Sequence, residues 1–127
     1  MPAVIENGKV IVVTDLTDVP GTDPVVLYTC MPPYNKFALN KIYIYNKDSA
    51  DHEVTLGAYD TTGASWSEDK LIVKVTAGST VILGPDDLPR DFVMTSDPST
   101  AIMAWAAKLD AAVTANNVKV KLELVIL

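Results

Sequence analysis

Hydrophobic and polar positions alternate along several short stretches of this chain, which is the pattern of β-strands with one buried face. The clearest stretch is 118–127, VKVKLELVIL, where apolar residues alternate with two lysines and a glutamate. Further strands are predicted over 9–14, 24–30, 71–76, 80–83 and 92–95. Short strands at regular spacing, with polar loops between them, predict an all-β antiparallel sandwich of eight or nine strands. At 127 residues the chain suits a single domain, spanning 1–127.

The central stretch 41–60, KIYIYNKDSADHEVTLGAYD, predicts two strands joined by a polar turn. We expect them to pair as a hairpin with Asn46 opposite His52. That register places Ile44 opposite Val54, so the apolar faces of both strands coincide, whereas a slip of one residue would separate them. The strands 71–76 and 80–83 alternate poorly as a tight hairpin, so we expect one of them to cross to a second sheet.

The opposite face of the predicted hairpin carries three tyrosines, Tyr43, Tyr45 and Tyr59. If this face is open to solvent, it is a tyrosine patch of the kind found in protein interfaces. If a loop covers it, the same residues pack structurally. Both interpretations fit the sequence.

The segment 97–117, DPSTAIMAWAAKLDAAVTANN, is ambiguous. Local propensity favours a helix, since Asp97 suits the N-cap, Pro98 the first helical position, and alanines favour helix. The sandwich pattern instead favours a strand over 101–107, followed by a loop or a short helix near 108–115.

Composition and charge narrow the possible functions. The net charge is −6 and the lysines show no basic stripe, so we expect neither nucleic acid nor an anionic membrane as a partner. No apolar run approaches the roughly 20 residues of a membrane span, and the N-terminus does not resemble a signal peptide. The one cysteine, Cys30, allows no internal disulfide, which is typical of folding in a reducing cytoplasm.

Candidate chemistry is sparse, and we expect no enzyme activity, no catalytic residues and no cofactor. His52 is the only histidine and is predicted to be a solvated turn residue, while Cys30 is predicted to be a buried, unreactive thiol. Asp86 and Asp87 are a weak candidate for a calcium site; adjacent turn aspartates more commonly accept bonds from nearby backbone amides. Trp66, in a loop predicted over 61–69, is a candidate ligand contact or a cap on the core.

The segment LYTCMPPYNKFALNKIYIYNKDSADHEVTLGAYD resembles a pattern in small virion proteins of tailed phages and archaeal viruses. In this pattern a strand ending in Tyr-Thr precedes a proline-containing turn, a strand closing in I-Y-I-x-N and a V-T-L strand. The stretches VTAGSTVIL and NVKVKLELVIL are similar to a later turn and to the final strand of the same proteins.

The resemblance implies a jelly-roll or immunoglobulin-like sandwich, and it favours a strand over 101–107. It also implies a structural or decoration protein of a virus particle, made in the host cytoplasm and assembled with itself and with other virion proteins. The alternative hypothesis is a carbohydrate- or protein-binding sandwich module that uses Trp66 and Tyr59 as stacking platforms.

Overall fold

A computed structural model describes residues 3–6, 9–30, 36–88, 93–96 and 99–127, with backbone alone for 3–6 and 9. These residues form eleven strands and no helix. The strands are β1 (Ala3–Glu6), β2 (Lys9–Val13), β3 (Thr17–Asp18), β4 (Val25–Thr29), β5 (Lys36–Asn46), β6 (His52–Asp60), β7 (Ser65–Val75), β8 (Thr80–Leu83), β9 (Val93–Thr95), β10 (Met103–Leu109) and β11 (Val118–Ile126). The predicted all-β fold is therefore confirmed.

The strands form two antiparallel sheets. The first has the order β1-β2-β11-β5-β8, with β3 pairing β11 and β9 pairing β5; the second has the order β4-β10-β6-β7. Without the short strands β1, β3 and β9, eight strands remain. Counted along the chain, the first pairs with the last (β2 with β11), the second with the seventh (β4 with β10), the third with the sixth (β5 with β8) and the fourth with the fifth (β6 with β7). This nested pairing is the topology of a jelly roll. It decides between the two sandwich types that the resemblance implied.

The predicted central hairpin is wrong. Both of its strands exist as β5 and β6, but β5 pairs with β11, β8 and β9, whereas β6 pairs with β10 and β7. The two strands thus belong to opposite sheets, and their apolar residues, such as Ile44 and Val54, join one core from its two sides. A strand's alternation shows which residues it buries but not which strand it pairs with.

The stretch predicted as a possible helix near 108–115 contains none. Strand β10 runs to Leu109, and bends and turns connect it to β11. β10 lies between β4 and β6, with neighbours on both sides, so Ala104, Trp105, Ala106 and Ala107 are all buried. This two-sided pairing and burial outweigh the helix preference of the alanines. Asp97 and Pro98 lie outside the described residues.

Two fully buried layers of side chains fill the space between the sheets. The first sheet contributes Ile42, Ile44, Val120 and Leu122, and the second contributes residues such as Trp105. Strands β7 and β8 occupy different sheets, as expected from their mismatched alternation, and a four-residue link joins them. They are therefore the edge strands on the same side of the sandwich.

Candidate functional site

Tyr43 and Tyr45 lie on the outer face of the first sheet, opposite the buried isoleucines of β5. In the sheet register Tyr43 is flanked by Ile82 of β8 and Lys121 of β11, and Tyr45 by Thr80 and Lys119. Both tyrosines are half-buried. Both tyrosines therefore lie where the sequence predicted them, on the face of β5 opposite Ile42 and Ile44.

The surroundings of Tyr43 are both cationic and apolar. The Nζ atom of Lys121 lies 4.6 Å from the centroid of the Tyr43 ring, and that of Lys41 lies 5.7 Å from it. Both distances are within the range of cation–π attraction. Beside them, Ile82 is 53% exposed on an edge strand. We refer to Tyr43, Ile82, Lys41 and Lys121 as the Tyr43 face.

The sequence did not reveal this approach of two lysines to one tyrosine, nor that Glu123 is paired with Lys41 on the same face. Lysines separated by about 80 positions along the chain, Lys41 and Lys121, meet because β5 pairs with β11, and Lys119 lies on the same face. The expectation that nucleic acid is not a partner rested on the net negative charge and the lack of a basic stripe in the sequence, and it stays a prediction. The described residues contain no helix long and apolar enough to cross a membrane.

Tyr59 is not part of the same surface, because the expected hairpin does not form. It lies in β6 of the second sheet, where it is paired with Trp66 of β7 and with Ala104 of β10. The predicted grouping of the three tyrosines on one face is therefore wrong, and Tyr59 is instead a neighbour of Trp66.

Trp66 lies in strand β7, which begins at Ser65, so the loop predicted over 61–69 is shorter than expected. Its indole lies against Gly57, where an added Cβ would be 2.2 Å from the Trp66 Cζ2 atom. The Nε1 atom donates a hydrogen bond of 2.8 Å to Asp69 Oδ1, and Lys108 Nζ lies 4.1 Å from the ring. Trp66 is thus packed on the outer face of the second sheet and is not a cap on the core.

In the turn that carries Asp86 and Asp87, the structure shows an aspartate bound to a nearby backbone amide, which is the commoner of the two predicted roles. Asp87 Oδ2 accepts a hydrogen bond from the Gly84 amide at 3.2 Å, and both aspartates are exposed. Asp60, in another turn, likewise accepts bonds from the amides of Thr62 and Gly63. Within the described ranges no three histidine, cysteine or carboxylate side chains are grouped to hold a metal ion. The calcium site stays a prediction.

His52 was expected in solvent, and this prediction is wrong: the residue is only 6% exposed. Its Nε2 atom lies 2.5 Å from Asp48 Oδ2, and its Nδ1 atom lies 3.0 Å from Asp110 Oδ1. Ionised carboxylates can only accept, so both contacts are hydrogen bonds when the ring carries both protons and is positively charged. No sequence signal predicted this cluster, because Asp110 is 58 positions from His52 and approaches it only where β10 pairs with β6.

His52, Asp48 and Asp110 form the His52 cluster, in which the charge of the ring and the charges of the two carboxylates stabilise each other. The hydrogen bond to Asp48, with that to Asp110, raises the pKa of His52 above its ordinary value despite burial. The bond from His52 lowers the pKa of Asp48. The pKa of Asp110 is also lowered, since its hydrogen bonds and the His52 charge outweigh its desolvation. The cluster ties the loop after β5 to the ends of β6 and β10.

Cys30 is fully buried, as predicted. Desolvation raises the pKa of its thiol to about 12. A thiol with so high a pKa has almost no thiolate at neutral pH, and the thiolate is the nucleophilic form. Cys30 is therefore unreactive in this fold.

A groove of about 320 Å³ opens at one end of the first sheet. Its lining residues are Leu16, Tyr45, Lys47, Asn116, Asn117 and Lys119. They come from the loop after β2, the end of β5 and the connection leading into β11, which the topology brings together. Sequence reasoning identified only Tyr45 among them, because the groove depends on pairing between distant strands.

No protein-family model and no curated protein matches this chain. Its structure is similar to a chain in the cryo-EM structure of the virus-like particle of extra small virus from the giant freshwater prawn Macrobrachium rosenbergii. The TM-score is 0.41 and the identity 13%, over 98% of this chain and 82% of that one. Because this similarity is low, the jelly-roll assignment depends on the strand order described above.

Proposed function

We propose that this chain is a non-enzymatic structural or decoration subunit of a virus particle that self-associates through the Tyr43 face. The observation that carries the proposal is the exposed Ile82 beside Tyr43, on an edge strand of a jelly roll. Many viral capsid domains have the jelly-roll fold, and so do lectin domains and cupins. The resemblance to small virion proteins, which covers most of residues 25–127, supports the viral choice.

The Tyr43 face has the composition of an interface. Aromatic residues are enriched in interface cores, and fully burying an isoleucine contributes roughly 1.5–3 kcal/mol. The ammonium groups of Lys41 and Lys121 add positive charge to this face, whereas the whole chain carries a net charge of −6. In a head-to-tail contact, an acidic part of a second copy complements these lysines, whereas two Tyr43 faces meeting each other would oppose like charges; we therefore expect a head-to-tail contact that depends on salt.

The neighbouring edge carries a further exposed apolar residue, on the outer face of the other sheet. Ile72, on the outer face of β7, is 56% exposed, and β7 is the adjacent edge strand of the second sheet. Edge strands present unpaired backbone groups that another chain can pair with. In a virion, other particle proteins would meet this edge while the Tyr43 face contacts a second copy.

Light scattering behind a sizing column, over a concentration series, tests this proposal. We expect the native chain to form a discrete oligomer and Ile82→Lys or Tyr43→Ala to yield monomer. Tyr59→Ala is the matched control, since it makes the same change on the opposite sheet and should leave the oligomer intact. A native chain that remains monomeric at high concentration, or an oligomer that only Tyr59→Ala disrupts, would contradict the proposed interface. Absence of the chain from purified particles of its virus would contradict the virion role.

A further inference from the structure

The His52 ring joins three separate parts of the chain at one end of the sandwich. His52 begins β6, Asp48 lies in the loop after β5, and Asp110 directly follows β10. Each contact of the ring needs an N–H group, because an ionised carboxylate can only accept a hydrogen bond. A neutral imidazole has a single N–H. Loss of one ring proton to solvent therefore leaves one of the two carboxylates facing a nitrogen lone pair.

Within the described ranges, the two carboxylates of the His52 cluster are the charged partners of the ring. On the β7 side the ring residue is paired with Val75, which is apolar and fully buried. On the β11 side the neighbour is the neutral side chain of Asn117. The charged residues next along the chain, Asp51 and Glu53, are both exposed, and Glu53 is paired in register with the exposed Lys74. The state of the ring thus depends mainly on Asp48 and Asp110.

The two carboxylates are held unequally. Asp48 Oδ2 lies 2.5 Å from Nε2, whereas Asp110 Oδ1 lies 3.0 Å from Nδ1, and the Asp48 side chain is 22% exposed against 42% for Asp110. Asp48 also accepts a bond from the Asn117 side chain at 3.5 Å. The bond to Asp48 is the larger cause of the raised pKa of His52. Water can therefore replace the ring more easily at Asp110 than at Asp48.

We propose that the His52 cluster is a pH-dependent switch, in which loss of the Nδ1 proton breaks the contact with Asp110 and loosens the 110–117 connection, while Asp48 stays bound. The connection is held at mildly acidic pH and loosened as pH rises through the raised pKa of His52. Most of its residues are exposed, and its backbone bonds include those from the Asp110 amide to Glu53 and from the Val113 amide to Pro20. A segment with so few contacts has little local stability of its own.

The switch acts on the groove at Tyr45, because Asn116 and Asn117 of this connection line that groove. It does not depend on self-association, since one copy supplies every group of the cluster. The test is a pH titration of the full chain by NMR, from pH 5.5 to pH 9. His52 is the only histidine, so the ring nitrogen signals belong to it alone.

We expect a midpoint above 6.5 and, at higher pH, a neutral ring with its proton on Nε2. The amide signals of 110–113 should shift with the same midpoint, and their hydrogen exchange should become faster than base catalysis alone explains. A midpoint at or below 6.5, a neutral ring with its proton on Nδ1, or amides of 110–113 that do not follow the ring would overturn the proposal.

Variants separate the two contacts. Asp110→Asn should lower the midpoint, keep the proton on Nε2 at high pH and remove the response of the 110–113 amides; Asp48→Asn should lower the midpoint further. Asp51→Asn is the matched control, since Asp51 precedes His52 directly but binds the Ala77 amide, and it should leave the midpoint nearly unchanged. Equal shifts in Asp110→Asn and Asp51→Asn would contradict the proposal, because they would show a general effect of charge. The native titration and Asp110→Asn decide the question even if Asp48→Asn does not fold.

Discussion

Replacing Gly57 with alanine tests how tightly Trp66 is held on the second sheet. An alanine Cβ would lie 2.2 Å from Trp66 Cζ2 and 2.4 Å from the Glu68 carbonyl oxygen, both far inside contact distance. The indole could swing aside, but the Glu68 carbonyl belongs to the backbone of β7, which pairs with β6. A glycine within a strand commonly marks such a close approach of another group, and here the register also shifts between Leu56 and Gly57.

The expected cost follows from these distances. Overpacking destabilises proteins by about 1–3 kcal/mol, and a clash with both a ring and a backbone oxygen belongs at the upper end. We therefore expect Gly57→Ala to lower the free energy of unfolding by about 3 kcal/mol and Tm by roughly 10 °C. Urea unfolding and thermal melts followed by circular dichroism measure both quantities.

A double-mutant cycle separates the two clashes. In a Trp66→Ala background the ring contacts are absent and only the Glu68 oxygen remains, so the same glycine substitution should cost about 1–2 kcal/mol less. Gly84→Ala is the matched control, since its added Cβ meets only Lys41 Cε, at 4.0 Å. If Gly57→Ala were as stable as the native chain, or if the cost were unchanged without Trp66, the described packing would be refuted.

Two further predictions concern the His52 cluster and the core. Since the pKa of His52 is raised from 6.5 and the pKa values of Asp48 and Asp110 are lowered from 3.8, the stabilisation by this cluster is greatest between those ordinary values. It decreases as pH rises through the raised pKa of His52, or falls through the lowered carboxyl pKa values. His52→Gln should therefore cost more stability at pH 5.5 than at pH 9 in urea unfolding; an equal cost at both would contradict the charged ring. In the core, Ile44→Ala should cost about 2–5 kcal/mol because Ile44 is fully buried, whereas Ile82→Ala, more than half exposed, should cost far less for the monomer; similar costs would contradict the assigned faces.

The local sequence pattern predicted most of the strands and the buried side of those that alternate clearly, but it did not predict β1 or β3 and left β10 between strand and helix. The alternation in β5, β6 and β11 predicted their inward residues, because a period of two is a local property of an extended chain. The position of Cys30 in an apolar stretch predicted its buried thiol. Trp66 was predicted to lie in a loop but lies in strand β7. The polar stretch around it, whose register is bulged, gives no clear alternation.

The pairing of the strands is settled only in three dimensions, and with it the Tyr43 face, the groove at Tyr45 and the approach of Asp110 to His52. Pairing β5 with β11 brings Lys121 to Tyr43 and forms the groove at Tyr45; pairing β6 with β10 brings Asp110 to His52. Each of these contacts joins residues more than 50 positions apart. Hydrophobic alternation is equally satisfied by a hairpin or by two strands facing each other across a core. The choice depends on burying all the strands together, which no local pattern contains.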